Sequence, residues 1–178
     1  MNDRYTGTAI ALHWLMAVLL AALFALGLYM ADIPLSPWKL KLYSWHKWAG
    51  VTAFLLVLVR VVWRAAHRPP ELPVSMSRLW RLAAHAGHGV LYLLMVAVPA
   101  SGWLMGSAIG VPTVYFGVLQ LPDLLEKNKE LGDLLRDVHE WLSYLLAAAA
   151  VGHAAIAVKH HVVDKDNVLA RMLPRRSA

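Results

Sequence analysis

The stretch Leu131–Val163, LGDLLRDVHEWLSYLLAAAAVGHAAIAVKHHVV, decides the fold. Its core from Trp141 to Val158 carries no charge, and crossing a hydrocarbon layer of about 30 Å takes about 20 mostly apolar helical residues. Polar residues beyond both ends predict a helix that extends past the membrane. His139 stands just before this core and His153 near its far end. Fourteen residues separate them, about 21 Å along a helix axis, and fourteen steps of about 100° return a side chain to within roughly 40° of the same face. One helix face thus presents two imidazoles at two depths. An ionisable side chain inside a membrane is a functional candidate by default.

Three further segments read as spans. Thr8–Ala31 is uncharged throughout; it is too long for the apolar region of a signal peptide and lacks a clear small-x-small cleavage site, so it is expected to be retained. Tyr43–Trp63 has Lys47 near one end and Arg60 near the other, where long cations can snorkel to the interfaces. Leu82–Ile109 carries Pro99, Gly102 and Gly106, which predict a kink and close helix approach, with a break near Pro112. The expected fold class is all-α: a single four-helix transmembrane domain over residues 1–178, spanning at about 8–31, 43–63, 82–109 and 131–163.

Composition supports a lipid solvent. The chain is 59% hydrophobic and 16% charged, against about 25% charged in a soluble domain. It has no cysteine, which excludes disulfides, iron–sulfur clusters and covalent haem attachment, so any cofactor is held noncovalently. The net charge of +6 does not point to nucleic acid, because the basic residues flank apolar blocks and form no stripe. Arg4, Arg60, Arg64, Arg68, Arg78, Arg81, Lys159, Lys165, Arg171, Arg175 and Arg176 all fall on one side. Lys39, Lys41, Lys47, Lys127, Lys129 and Arg136 fall on the other, offset by Asp32 and by six acids between Asp123 and Glu140. The positive-inside rule places both termini in the cytoplasm.

With that topology, His46 lies near the outer end of its span, level with His139, and His13 near the inner end of its span, level with His153. Four-helix bundles build cofactor sites from side chains on facing helices. Two histidines on opposite helices can clamp a flat macrocycle through its iron, so two b-type haems are the natural occupants. Ordinary bundle histidines, bonded to backbone or hydroxyls, are the plain alternative. A zinc or copper transporter would add carboxylate, thiolate or clustered thioether ligands, which the helix cores lack. Small residues beside the histidines (Gly50, Ala17, Gly152, Ala154) suit a bulky planar group, or simply close helix packing. Trp14, Trp45, Trp48, Trp63, Trp80 and Trp141 fall near span ends, as interfacial belt residues do.

His85 and His88, three apart, can both face the bundle near the depth of His13 and His153. On geometry alone His88 is a rival ligand; either could instead bond a haem propionate or a quinone carbonyl. His67, His160 and His161 lie at or beyond span ends, where solvation suffices. Arg60, Arg64, Arg78 and Arg81 suit propionate neutralisation as well as positive-inside signalling.

The opening from Tyr5 to Trp14 with ALHWL, HKWAG at His46–Gly50 followed by Arg60, Arg64 and RPP, AHAGHGVLYLLM, the His139–His153 spacing and the closing KDNVLARMLPRR together resemble the bacterial cytochrome b561 family. This family of small di-haem b cytochromes is related to the cytochrome b subunits of nickel–iron hydrogenases and formate dehydrogenases. The resemblance covers nearly the whole chain. It implies His13 with His153 on the cytoplasmic-side haem iron and His46 with His139 on the periplasmic-side one, and sets His88 aside as a ligand. Iron held by two histidines has no open axial position and favours electron transfer over oxygen chemistry. The resemblance further implies an inner-membrane location, ubiquinone as electron acceptor, and oxidation of superoxide at the periplasmic face. No catalytic residue is assigned; Lys39, Lys41 and Lys47 could steer an anion there. The other readings are an electron-transferring membrane anchor for a dehydrogenase or hydrogenase and, more distantly, a metal-ion transporter. A protein partner is left open.

Overall fold

The computed structural model describes residues 4–73 and 76–174; Arg175 and Arg176 of the basic tail lie outside the described residues. Four helices dominate: α1 Gly7–Asp32, α2 Pro37–Ala66, α3 Arg78–Ile109 and α4 Lys129–Val162. Each begins where its sequence supplies a capping oxygen. Thr6, Ser36, Ser77 and Asn128 accept the N–H groups of Ala9, Lys39, Trp80 and Leu131, satisfying donors that a first turn leaves unpaired. Pro37 follows its cap at the helix start, where a missing N–H costs nothing. The left-handed Gly110 (φ 78°) ends α3, returning its N–H to Gly106 and Ser107. A Cβ there would come within 2.9 Å of the Lys127 side chain.

All four helices are long and apolar enough to cross a membrane. Except for Val163, which caps α4, each predicted apolar segment lies within one helix. Large apolar side chains such as Val18, Val62, Leu93 and Val151 point outward, which suits lipid and not water. α3 packs closely along α4, and α1 along α2. Gly132 allows the first approach: a Cβ there would stand 2.7 Å from Ile109 Cγ1 and 3.3 Å from its backbone nitrogen. α1 barely touches α4. Val57 is the one large side chain that is wholly buried among the described residues, with Met16, Leu42, Leu94 and Leu146 nearly so.

The connection from α3 to α4 contains a hairpin that hydropathy did not signal: β1 Val114–Tyr115 pairs antiparallel with β2 Leu119–Gln120. Phe116 (φ 49°) and Gly117 (φ 73°) turn it through the left-handed region. It is tied down by side chains of α2: Trp48 Nε1 donates to the Val114 carbonyl (2.6 Å), and Thr52 Oγ1 lies 2.9 Å from the Tyr115 hydroxyl. At the opposite end, a short 3₁₀ turn, Ala170–Met172, lies against α1: Trp14 Nε1 donates to the Met172 carbonyl and Arg4 to that of Leu173.

Candidate functional site

α4 faces both α1 and α2 through its two histidines. At the level nearer the chain termini (inner) the rings of His13 and His153 have centres 6.2 Å apart at 74°; at the opposite level (outer) His46 and His139 stand 6.3 Å apart at 84°. The near-perpendicular planes exclude face-to-face stacking as the reason for either approach. A metal-bound imidazole nitrogen sits about 2.0–2.1 Å from its ion and roughly 1.1 Å from its ring centre, so two rings on opposite sides of one ion have centres about 6.3 Å apart. Both pairs stand at that separation. His88 also reaches the inner level, its ring 5.4 Å from that of His153. That is too close for a shared ion between the two rings, and His88 meets His153 edge-on at 64°.

The second nitrogens are set up differently. His139 Nδ1 donates to the Val98 carbonyl at 2.9 Å and lies 3.1 Å from Ser101 Oγ, leaving Nε2 for a ligand. The bare face of Gly102 receives this ring; a Cβ would come within 3.1 Å of His139 Cε1. His46 Nδ1 is buried with no hydrogen-bond partner, an arrangement that a buried polar atom tolerates only at a cost. Gly50, one turn on from His46, has open space where a Cβ would project. At the inner level His13 Nδ1 lies 3.0 Å from Arg60, whose Nε donates to the Tyr92 hydroxyl at 3.1 Å. Arg60 also lines a pocket at the inner end with Arg4, Arg64 and Arg68; among the described residues its lining contains no carboxylate.

The remaining candidates separate. His85 is exposed. His67 stacks on Trp63 at 4.0 Å. His160 is not merely solvated, because its Nδ1 lies 2.7 Å from Asp166 and 3.1 Å from Asp164. Two of the three steering lysines are engaged: Lys39 Nζ donates to the Ile33 carbonyl (2.7 Å) and Lys47 Nζ to that of Val111 (2.8 Å). Lys41 is exposed. Trp14, Trp48, Trp63 and Trp103 spend their indole N–H groups on Met172, Val114, Thr6 and Pro122, joining helix ends to neighbouring segments. Sequence reading had singled out neither Trp103 nor the tie from His139 to Val98; nothing local to either residue signals its partner.

Four helices apolar and long enough to span, with histidine rings facing each other at two levels, define an integral membrane protein. The match to prokaryotic cytochrome b561 runs over residues 4–175, and the chain belongs to that family. It is 37% identical over 177 residues to cytochrome b561 homolog 2 of Escherichia coli (strain K12), covering 99% of this chain and 94% of that one. It is 30% identical to cytochrome b561 homolog 1 of the same organism (98% and 99% covered), and 29% identical to the probable superoxide oxidase CybB of Yersinia pestis (99% of each). The protein is therefore a b-type haem-binding electron-transfer protein, multi-pass in the bacterial inner membrane.

Proposed function

We propose that the chain holds two b-type haems, one between His13 and His153 on the cytoplasmic side and one between His46 and His139 on the periplasmic side. In this reading it carries electrons across the membrane from superoxide to ubiquinone. The carrying observation is the pair of ring separations, 6.2 and 6.3 Å, each suited to one shared ion. Bound haem supplies a one-electron ferric–ferrous couple. His13 with His153 and His46 with His139 would hold the two irons, which would leave no open position for oxygen, and α4 spaces its two histidines about 21 Å apart. Two superoxide anions each give up one electron and leave as oxygen; one quinone takes up both electrons with two protons. The Yersinia relative is named a probable superoxide oxidase, which supports this donor. Both termini lie in the cytoplasm by the charge distribution. Family membership favours electron transfer over the metal-ion transporter reading.

The test is a reduced-minus-oxidised spectrum with haem quantified per chain, for the parent protein and for His→Ala variants at 13, 46, 88, 139 and 153. Two low-spin haems, halved by every change except the one at His88, are expected. A single haem, or a loss at His88 in place of His13, overturns the assignment.

A further inference from the structure

Resting on the two-haem reading, we infer that the inner level is the electron sink of the pair, with Arg60 as the positioning residue that raises the inner haem potential above the outer one. A positive charge beside a redox centre stabilises the added electron, and a stronger imidazole donor stabilises the oxidised iron; charge and hydrogen bonding at the ligands are the levers by which a protein sets a haem potential.

The two levels are built oppositely on both counts. The Arg60 guanidinium stands 3.0 Å from His13 Nδ1 and is within electrostatic reach of His153. Guanidinium has donors and no acceptor, so a His13 that binds iron through Nε2 and carries its proton on Nδ1 gives up this bond. The second tie, from Arg60 Nε to the Tyr92 hydroxyl, keeps the charge beside the ring. Arg4, Arg64 and Arg68 share the same pocket, whose lining among the described residues includes no carboxylate. Two propionates of one haem held here would neutralise at most two of these four guanidinia, so the described lining would keep a surplus of positive charge.

The outer level has the reverse design. His139 Nδ1 donates to the Val98 carbonyl, which makes its Nε2 a better donor to ferric iron. Lys47, which follows His46 in the chain, caps the Val111 carbonyl and has Asp123 within electrostatic reach. An electron entering from outside therefore moves from a level that disfavours it to one that holds it. That asymmetry opposes the inside-negative membrane potential, which resists inward electron movement.

Equilibrium redox titration of the purified holoprotein, followed in the haem α-band, tests this. H13A and H46A identify the waves: the haem remaining in H13A is expected to be the low-potential one, and that in H46A the high-potential one. R60Q should lower only the high-potential wave, and R60K should restore most of the shift. Should R60Q lose the inner haem, R64Q reads the same pocket and should lower the same wave. The inference is overturned if the inner haem titrates at or below the outer one, or if R60Q and R64Q leave its wave in place. Failure of the two-haem reading looks different: one haem or none per chain in the parent protein.

Discussion

The imidazole of His139 in α4 donates its Nδ1 proton to the carbonyl of Val98 in α3 at 2.9 Å. The bond fixes which nitrogen is left to face α2 and joins the most tightly packed pair of helices to the outer histidine level. Gly102, one turn after Val98, is what lets the ring approach.

Gly102→Val should therefore strike the outer site selectively. The added Cβ would stand 3.1 Å from Cε1 and 3.2 Å from Nδ1 of His139, and overpacking of this kind costs about 1–3 kcal/mol. In the two-haem reading, haem content should fall from two towards one per chain, with the remaining haem keeping the potential seen in H46A. Retention of two haems with unchanged spectra would show that the ring has room to move.

Close approach of α3 and α4 at Gly132 predicts a rescue. Gly132→Ala should lower the thermal midpoint in detergent, by about 1–3 kcal/mol of stability, because its Cβ meets Ile109 Cγ1 at 2.7 Å. Adding Ile109→Ala removes that atom and should recover part of the loss. If the double variant is no better than the single one, the obstruction is the Ile109 backbone nitrogen at 3.3 Å.

Of the three lysines near His46, Lys41 is exposed and Lys47 is a structural tie. Lys41→Gln should slow the proposed superoxide oxidation about twofold at low salt, an effect that fades as salt screens the field, with haem content intact. Lys47→Gln leaves the Val111 carbonyl without this cation and should lower thermal stability by about 1–3 kcal/mol. Equal rates for Lys41→Gln and the parent at low salt would remove steering by this residue.

The absence of cysteine makes topology directly measurable, because a single introduced thiol is the only one present. Val118→Cys, in the outer hairpin at 88% exposure, should react with a membrane-impermeant maleimide in intact spheroplasts. Lys165→Cys, beyond α4, should react only after lysis. The reverse pattern would invert the assignment of both termini to the cytoplasm.

Hydrophobic run length determined, from sequence alone, how many spanning helices there are, because it reflects the cost of putting polar groups into lipid; the placement of arginine supplies the expectation for the side the termini take. The fourteen-residue spacing of His139 and His153 is likewise legible, since helical rise and turn are set by the backbone. Their partners were legible only as depths. Which of His13 and His88 faces His153 at the spacing of a shared ion depends on how helices rotate against one another, and neighbours one turn apart on a span look alike in a linear pattern. Tertiary packing decided the rest: that Lys39 and Lys47 cap carbonyls, that Arg60 turns to His13 and Tyr92, and that Val98 accepts from His139. These are contacts between residues up to 64 positions apart, and they exist only once glycines such as Gly102 and Gly132 let the helices close to within side-chain reach.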